Sequence, residues 1–414
     1  PQITTDSRNC PKGSIFFALK GDKFDANQYA GKALASGCVY AVIDNPDYYI
    51  GERTILVDNV LKTLQQLAHH HRKVLGLPII GITGTNGKTT TKELLAAVLS
   101  TKFNLLYTEG NFNNHIGVPL TLLRLTHDHE MAVIEMGASH PGDIKELVDI
   151  VHPNYGIITN VGRAHLEGFG SFEGVIRTKG ELYDYIRRSK GKIFIKKENE
   201  YLQSIAKGIE QITYGNGDDA FASGQVVSCD PFLVFNWKQQ GKLHTVETHM
   251  IGSYNLDNVL AAVAVGRFFK IPAERISRAI AAYEPTNNRS QFKKTDNNEL
   301  IIDAYNANPS SMKVALDNFI TMPVQPKAII LGDMRELGPT SDELHAEVVE
   351  QIKKGQFDKV FLCGEHFSKV GKEFSPFATT EAMVEELRKQ PLKGYHILIK
   401  GSHSMGLEKL ADIL

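Results

Sequence analysis

Strand-like apolar runs that alternate with helical stretches constrain the fold of this chain more than any other feature of its sequence. Each of three short apolar runs in the middle of the chain is followed by a helical stretch. The runs are Ile79–Thr83, Met131–Met136 and Gly156–Val161, and the helical stretches lie around Leu94–Leu99, Asp143–Val151 and Glu173–Arg188. Strands joined through helices pair in parallel and are covered by those helices. The sequence therefore predicts an α/β fold with a mostly parallel central sheet.

Length and local pattern divide the chain into three predicted units. With 414 residues the chain exceeds what one hydrophobic core usually serves. We predict a small N-terminal α/β domain over residues 1–77, a central domain over 78–288 and a C-terminal domain over 289–414. Between about 212 and 251 the pattern changes to short strands with Gly and Asp turns, which predicts an antiparallel insert in the central domain.

The C-terminal domain has the strand and helix pattern of a Rossmann-like sheet. Its predicted strands are Ala328–Leu331, Val360–Cys363 and Ile397–Ile399, and each precedes a helical stretch. No G-x-G-x-x-G follows these strands. Dinucleotide binding by this domain is therefore disfavoured.

Composition and charge narrow the setting in which the chain works. The net charge of −1 gives no bulk electrostatic reason to expect nucleic acid as a partner. The four cysteines are scattered without paired spacing, so neither a disulfide framework nor a zinc site is predicted. No apolar run reaches the roughly 18 residues of a membrane span, and the start of the chain is unlike a signal peptide. We expect a cytoplasmic protein that binds no nucleic acid and does not span a membrane.

A Gly-rich turn between the first central strand and its helix has the features of a phosphate loop. Glycines let backbone N–H groups converge on phosphate oxygens, and the helix N-terminus adds positive potential. Lys88 is expected to reach the β- and γ-phosphates of ATP, and Thr89 to offer its hydroxyl to Mg²⁺. The residues predicted to bind the nucleotide here are Gly84, Thr85, Asn86, Gly87, Lys88, Thr89 and Thr90.

One departure from the generic phosphate-loop pattern leaves an alternative open. That pattern requires glycine five positions before Gly87, where this chain has Ile82. The alternative is a Gly-rich turn that only satisfies backbone geometry. We favour nucleotide binding by a central domain of the P-loop ATPase type, because the turn lies at the required strand–helix junction.

Two ligand-type side chains lie at the ends of successive predicted strands, at the carboxyl edge of the central sheet. Glu135 ends its strand, and ligands of open α/β sheets bind in the crevice at that edge. A carboxylate there suits Mg²⁺, with helix capping as the alternative. His165 follows the next strand and is by the same placement a candidate ligand of a second metal, whereas a single His is more often an ordinary core or surface residue. For Lys179, in the following helix, the ordinary interpretation is an exposed lysine.

Taken together, these motifs resemble those of the Mur ligases of bacterial cell-wall synthesis. The segments that carry the resemblance are Gly84–Thr89, Ile134–Ala138, Ala164–Gly170 and Gly252–Ala262. Further segments resemble the family members that add D-alanyl-D-alanine, namely Gly110–Pro119, Asp303–Pro309, Gly332–Gly338 and Ile399–Ser402. The resemblance covers nearly the whole chain, and it explains the departure at Ile82, because the family has its own form of the phosphate loop. The Asp-Asn-Pro-type motif that recognises diaminopimelate is not evident.

The resemblance implies an ATP-dependent ligase that adds D-alanyl-D-alanine to UDP-N-acetylmuramoyl-tripeptide through an acyl phosphate. It implies two Mg²⁺ ions, one held by Thr89 and Glu135 and one by His165 and a carbamate of Lys179. Lys88, His165 and Lys179 are then the expected catalytic residues, and a monomer is expected. The alternatives are a diaminopimelate- or lysine-adding member, a folylpolyglutamate synthetase, a simple kinase, or a catalytically silent nucleotide-binding module.

Further contacts with ATP and the substrates are implied by the same resemblance. Asn255 and Asn258 are expected at the adenine, with helix capping as the alternative for Asn255. Asp303 is expected at the ribose and Arg289 at a phosphate. The expected substrate-binding residues, including two in a UDP-substrate-binding N-terminal domain, are Ser7, Arg8, Asn113, Asn114, Tyr305, Asn306 and Ser402. For the last five, structural roles within loops are the alternative. Family members usually begin with a further segment before Asp6, so we expect an N-terminal truncation here.

Overall fold

A small parallel sheet opens the fold. The computed structural model describes residues 2–286 and 288–414. The first six strands are β1 (Ile3–Thr4), β2 (Ile15–Phe17), β3 (Lys20–Gly21), β4 (Phe24–Asp25), β5 (Tyr40–Ile43) and β6 (Thr54–Leu56), with helices α1 (Ala30–Ala35) and α2 (Val60–Leu75). Four of them form a sheet in the order β1-β2-β5-β6, in which all neighbours are parallel. β3 and β4 pair separately as an antiparallel hairpin.

Helix α2 connects this first sheet to the rest of the chain. Asn59 caps its start by accepting a hydrogen bond from the N–H of Lys62 at 2.8 Å, and Gly76 ends it in a left-handed conformation with φ of 64°. Ala68, on the apolar side of the helix, is buried in the hydrophobic core of the next unit. The helix therefore packs against the central unit as well as against the first sheet.

Nine strands form the central sheet. They are β7 (Ile79–Thr83), β8 (Leu105–Tyr107), β9 (Met131–Glu135), β10 (Tyr155–Ile158), β11 (Lys192–Lys196), β12 (Glu210–Gly215), β13 (Ala222–Cys229), β14 (Phe232–Gln239) and β15 (Lys242–Ile251). The helices are α3 (Lys88–Leu99), α4 (Gly117–Leu122), α5 (Asp143–Val151), α6 (Leu166–Phe169), α7 (Phe172–Ser189), α8 (Glu200–Ile205), α9 (Leu256–Phe268) and α10 (Ala273–Ala282). The strand order is β15-β14-β13-β12-β11-β10-β7-β9-β8.

Helices cover both faces of this sheet, which explains why β7 and β9 are apolar except at their last residues. Every residue of β7 and of β9 is buried, as expected for parallel strands with a helical layer on each side. Helices α3, α9 and α10 contribute to the core on one face, and α4, α5 and α7 to the core on the other. The predicted mostly parallel sheet is confirmed.

Two details of the central unit differ from the sequence-based predictions. The third predicted strand ends at Ile158 and not at Val161, because the residues after it turn away to contact the Gly-rich loop. The region from 212 to 251 is not a wholly antiparallel insert. β12 pairs in parallel with β11, and β13 continues the parallel pairing at its first residues before the antiparallel β14 and β15.

A five-stranded sheet forms the last unit. Its strands are β16 (Gln291–Lys294), β17 (Glu299–Asp303), β18 (Lys327–Gly332), β19 (Lys359–Cys363) and β20 (His396–Lys400), with helices α11 (Pro309–Thr321), α12 (Ser341–Lys354), α13 (Glu365–Val370) and α14 (Thr380–Lys389). The order is β16-β17-β20-β18-β19, and only β16 is antiparallel to its neighbour. In the part of the chain that the structure describes, no helix is both long and apolar enough to span a membrane.

Candidate active site

The Gly-rich loop between β7 and α3 has the geometry of a phosphate loop. Gly84 and Gly87 have φ angles of 143° and 76°, which side chains with a Cβ rarely adopt. A Cβ on Gly84 would also lie 2.0 Å from the hydroxyl of Thr159. Lys88 folds back over the loop, and its Nζ donates to the carbonyls of Gly84 at 2.9 Å and Thr85 at 3.1 Å. Burial lowers the pKa of Lys88, while the Glu135 carboxylate acts in the opposite direction.

The residues that follow β10 hold the backbone of this loop in place. The Thr159 hydroxyl donates to the carbonyl of Asn86 at 2.6 Å. The Asn160 side chain accepts from the N–H of Asn86 at 3.0 Å and donates to its carbonyl at 3.0 Å. Two neighbouring strands of the central sheet therefore fix one loop.

Glu135 lies at the end of β9, beside the loop, as predicted. Its side chain is 1% exposed. Its Oε1 accepts hydrogen bonds from the Thr89 hydroxyl at 3.3 Å and the Asn113 amide at 2.9 Å. Its Oε2 is buried and finds no hydrogen-bond partner among the described residues. A buried carboxylate oxygen without a donor is costly unless something else satisfies it.

That free oxygen is suited to a hard cation. Within residues 2–286 and 288–414, no three His, Cys, Asp or Glu side chains converge as a ready-made metal cage. Mg²⁺ does not require one, because it is usually bound through one or two carboxylates together with substrate phosphates and water. Glu135 and Thr89, beside a phosphate loop, fit this type of site.

His165 contacts the last unit of the chain. Its Nδ1 pairs with a carboxylate oxygen of Glu336, and the N–H of Glu167 donates to the carbonyl of Glu336 at 3.3 Å. Burial lowers the pKa of His165, and the charges of Lys88 and Lys179 lower it further. The Glu336 carboxylate acts in the opposite direction. With Nδ1 occupied by Glu336, Nε2 is the nitrogen that remains for another ligand.

Lys179 is buried, so the interpretation of it as an exposed helix lysine was wrong. Its residue is 2% exposed. Its Nζ lies 3.4 Å from the carbonyl of Ala138 and 5.3 Å from the centre of the Phe169 ring. Burial, followed by the charge of Lys88, lowers its pKa well below that of a free lysine. These buried surroundings disfavour the charged ammonium form of Lys179.

Most of the predicted site residues line one cleft of about 1090 Å³ between the central and last units. Those that line it are Thr85, Asn86, Gly87, Lys88, Thr89, Thr90, Asn113, Asn114, Glu135, His165, Asn255, Asn258, Arg289, Asp303, Tyr305 and Asn306. Of the described residues predicted at the site, Gly84, Lys179, Ser402, Ser7 and Arg8 do not line this cleft.

The five residues outside the cleft lie in different surroundings. Gly84 and Lys179 are buried next to it. Ser402 is also buried, and its hydroxyl finds no hydrogen-bond partner in the described part of the chain. Ser7 and Arg8 belong to a turn of the first unit, where Arg8 pairs with Asp6 at 2.8 Å.

The two asparagines predicted at the adenine belong to a small polar network behind the loop. Asn255 donates to the carbonyl of Ile251 at 2.8 Å and accepts from Asn258 at 2.8 Å. Asn258 in turn accepts from the Thr91 hydroxyl at 3.1 Å. Although Asn255 immediately precedes α9, its side chain makes no capping hydrogen bond with any residue the structure describes. The capping alternative for Asn255 is therefore wrong.

On the opposite wall of the cleft, the last unit contributes a charged and aromatic group. The Arg289 guanidinium lies 3.7 Å from the centre of the Tyr305 ring, which stacks on His403. Asp303 accepts from the N–H of Ser290 at 3.3 Å and pairs with Lys400, which is buried. The charge of Lys400 was not considered in the sequence-based predictions.

Two asparagines near the cleft make structural contacts, and for Asn114 this is the alternative role given with the predictions. Asn114 accepts from the N–H groups of Ile116 at 3.1 Å and Gly117 at 2.8 Å and so orders the start of α4. Asn308 donates from its side chain to Asn86 at 2.8 Å, across the junction between the units. Asn308-Pro309 resembles a helix start, which could have been found in the sequence, whereas no local pattern indicates a contact with Asn86 or the contact between Glu336 and His165.

These observations define an α/β protein with a nucleotide-type phosphate loop and a buried carboxylate at the edge of a parallel sheet. Two family models match the chain, a Mur ligase middle domain over residues 82–266 and a Mur ligase, glutamate ligase domain over residues 288–403. The UDP-N-acetylmuramoyl-tripeptide–D-alanyl-D-alanine ligase of Bacillus subtilis is 34% identical over 100% of this chain and 92% of its own length. The corresponding ligase of Escherichia coli is 32% identical over 100% and 93%. The chain belongs to the Mur ligase family and is an ATP-dependent ligase.

Solved structures agree with this assignment. The crystal structure of MurF from Acinetobacter baumannii matches with a TM-score of 0.90 at 30% identity, covering 100% of this chain and 93% of that one. The MurF ligase of Thermotoga maritima, solved in complex with ADP, matches with a TM-score of 0.89 at 25% identity, covering 100% and 96%. The resemblance drawn from the motifs and the predicted fold class are both confirmed.

Proposed function

We propose that this chain joins D-alanyl-D-alanine to UDP-N-acetylmuramoyl-tripeptide at the expense of ATP. The observation that carries the proposal is that Lys88, on a phosphate loop, and Glu135, with a free buried oxygen, face one cleft between two units. Relatives that bear this enzyme name match the chain over its whole length at 34% and 32% identity. The proposal places the chain in the cytoplasm, where ATP and a reducing environment for the cysteines are found. It also takes the chain to act as a monomer.

In the first step, the peptide carboxylate of the UDP substrate attacks the γ-phosphorus of ATP. The bond from the γ-phosphorus to the bridging oxygen breaks, ADP leaves, and an acyl phosphate forms. Such transfers depend mainly on positioning and on neutralising charge. The loop N–H groups and Lys88 perform this role, because they surround the place where the phosphates bind. Asn255, Asn258, Asp303 and Arg289 are the proposed contacts with the rest of the nucleotide.

Mg²⁺ belongs to this proposal, because the residues present are suited to hold it. Thr89 and Glu135 would hold one ion through hydroxyl and carboxylate oxygens. His165 and Lys179 would hold a second if Lys179 reacted with CO₂, since a buried neutral amine can form a carbamate that behaves as a carboxylate. When bound, the metal ions neutralise phosphate charge. Glu336 would orient His165 through Nδ1, as carboxylates commonly do for metal-binding histidines.

In the second step, the amine of D-alanyl-D-alanine attacks the carbonyl carbon of the acyl phosphate, and phosphate leaves. Because the cleft lies between two units, docking of the last unit excludes water that would otherwise hydrolyse the acyl phosphate. The proposed substrate contacts are Asn113, Asn114, Tyr305, Asn306 and Ser402, with Ser7 and Arg8 for the UDP part. The separate sheets of the three units support domain boundaries near 77–78 and 288–289. In this proposal the first domain binds the UDP substrate.

One assay tests the proposal directly. The purified chain is incubated with UDP-N-acetylmuramoyl-tripeptide, ATP, Mg²⁺ and D-alanyl-D-alanine, and the amide product is detected by mass spectrometry together with free phosphate. Product and phosphate should both require D-alanyl-D-alanine. Amide formation with diaminopimelate, lysine or glutamate instead would favour another member of the superfamily. A product that retains the phosphate would indicate a kinase.

A further inference from the structure

Asn308 lies at the start of α11 in the last unit, yet it contacts the phosphate loop of the central unit. It is 3% exposed, although Ser310 and Ser311, close to it in the chain, line the open cleft. Its Nδ2 donates to Oδ1 of Asn86 at 2.8 Å, and its Oδ1 accepts from the N–H of Ser311 at 2.9 Å. A single amide group therefore caps a helix with its oxygen and contacts the loop with its nitrogen.

The helix cap fixes the orientation of this amide. The N–H of Ser311 can only donate, so the atom of Asn308 that faces it must be the oxygen. The Asn308 nitrogen then faces Asn86, which must present its own oxygen. The Ser311 hydroxyl accepts from the N–H of Asn308 at 3.1 Å and completes a capping box. The end of α11 thus sets the direction of the hydrogen bond between the units.

For the side chain of Asn86, this contact has no substitute within the described residues. The backbone of Asn86 is held by Thr159 and Asn160 of its own unit. Its side chain receives a hydrogen bond only from Asn308 in residues 2–286 and 288–414. The central unit therefore fixes the path of the loop, whereas the last unit fixes the side chain that the loop presents to the cleft.

A second contact keeps the start of α11 on the central unit. The Ser310 hydroxyl accepts from the N–H of Arg163 at 2.9 Å. It also lies 2.7 Å from where a Cβ would be on Gly162, so a larger residue there would separate the two units. Gly162 is joined to the phosphate loop, because its N–H donates to the Thr85 hydroxyl at 3.0 Å.

We propose that Asn308 is a positioning residue for ATP, acting through Asn86. It holds the loop side chain in its nucleotide-binding arrangement only while the last unit is docked on the central unit. The inference rests on the proposed function, because it takes the loop to be the ATP site. By thermodynamic linkage, a nucleotide that favours this arrangement must favour docking of the last unit to the same extent.

Asn308→Ser tests the inference while preserving the helix cap. A serine hydroxyl can still accept from the N–H of Ser311, but it is too short to reach Asn86. The Kd for ADP, measured by isothermal titration calorimetry, and the KM for ATP should both rise about fivefold, as expected for one neutral hydrogen bond. The kcat at saturating ATP should change little.

Thr379→Ala is the matched control. Thr379 caps α14 in the same unit by accepting from the N–H of Ala382 at 3.2 Å, and it is exposed. Loss of this cap should lower the Tm and leave the Kd for ADP unchanged. Loss of affinity in this variant would mean that any weakening of the last unit has the same effect, and that Asn308 has no special role.

Asn86→Ala provides the second arm of the experiment without disturbing α11. In an Asn86→Ala background, Asn308→Ser should weaken ADP binding no further, because the pair acts as one unit. Additive losses, or an Asn308→Ser variant with wild-type Kd and KM, would overturn the inference. A wild-type chain that neither binds ADP nor forms it from ATP would instead refute the proposed function, and the two failures are therefore distinguishable.

Discussion

Two sheets of this molecule each place a buried carboxylate at the carboxyl end of a parallel strand, but the two carboxylates have different surroundings. Glu135 ends β9 of the central sheet and Asp333 follows β18 of the last sheet. Their residues are 1% and 0% exposed, respectively. By position and burial alone, both would be candidates for a metal ligand.

The two carboxylates differ in their hydrogen bonds. Both oxygens of Asp333 accept backbone N–H groups at the start of α13, from His366 at 2.9 Å and Phe367 at 3.0 Å. A Cβ on Gly364 would lie 2.3 Å from the Asp333 carboxyl carbon, so the chain is built closely around this acid. Glu135 instead keeps one oxygen that no described residue satisfies. A satisfied buried acid is part of the fold, whereas an unsatisfied one keeps an oxygen available for a ligand.

The lysines near the ends of the two sheets show the same difference. Lys400, at the end of β20, pairs with Asp303. Neither Lys88 nor Lys179 has an ion-pair partner among the described residues, and burial lowers the pKa of both. The end of the central sheet therefore carries a carboxylate and two lysines that no ion pair among the described residues engages, as expected where charged substrates complete the electrostatics.

Removal of Lys88 should have the largest effect. Lys88→Ala should reduce ADP formation about a thousandfold or more, because the positive charge beside the transferred phosphoryl group is lost. The measurement is ADP release in the presence of both substrates. Lys207→Ala, at an exposed position, is the control and should retain full activity. Undiminished turnover by Lys88→Ala would show that the loop has no part in the mechanism.

Lys179→Ala should lose most activity, and small carboxylates should restore part of it. Formate or acetate can enter the space left by the side chain and supply the carboxylate that a carbamate would supply. Activity is measured with and without formate, and Lys88→Ala is the control that formate should not rescue. If Lys179→Ala were fully active, the carbamate proposal would be wrong.

The two carboxylates should respond oppositely to substitution. Glu135→Gln should raise the Mg²⁺ concentration for half-maximal activity at least about tenfold, with the Tm unchanged or higher, because an unsatisfied buried charge is removed. Asp333→Ala should destabilise the protein by about 2–3 kcal/mol, because two backbone N–H groups lose their acceptor, and its Mg²⁺ requirement should stay that of wild type. Mg²⁺ titration and thermal unfolding of both variants distinguish these outcomes. An unchanged Mg²⁺ curve for Glu135→Gln would exclude it as a ligand.

The sequence was sufficient to predict the site residues that lie at the carboxyl ends of recognised strands. The convergence of the loop with Glu135 depends only on the rule that parallel strands share a carboxyl edge. The same rule could have indicated Asp303, which ends the apolar run of β17, but that strand was not recognised and the residue was found only through the resemblance. The parallel start of β13 was also missed, because a short apolar run does not reveal the direction of its partner.

Contacts between the units could not be predicted, for a physical reason. The pairs Asn86–Asn308 and His165–Glu336 join residues more than a hundred positions apart, and each depends on how two finished sheets dock. Local patterns specify helices and strands, but not the relative placement of separately folded units. The burial of Lys179 was missed for a similar reason: the helical pattern around it does not reveal that the end of a sheet lies against that helix.

The stability of the last sheet at its carboxyl end, near Asp333, should also depend measurably on pH. Buried His345 donates from Nδ1 to the carbonyl of Ser341 and accepts at Nε2 from the N–H of Met334 at 3.0 Å, so its ring is neutral. Burial lowers the pKa of His345, and the charge of His366 lowers it further. The hydrogen bond to Ser341 and the charges of Asp333 and Asp342 act in the opposite direction. Protonation would break the hydrogen bond from Met334.

Because this histidine has a lowered pKa in the folded state, its stabilising contribution is complete above the unfolded pKa of about 6.5 and is lost as the pH falls below it. The slope from this one group cannot exceed about 1.4 kcal/mol per pH unit. Hydrogen exchange of peptides from α12, measured at several pH values between about 7.5 and 5.5, should show protection falling with pH in wild type. In His345→Gln the fall should be shallower, because glutamine does not titrate, whereas His127→Gln, at an exposed position, should behave as wild type. Equal slopes in all three proteins would mean that the neutral ring contributes nothing to the stability of this end of the sheet.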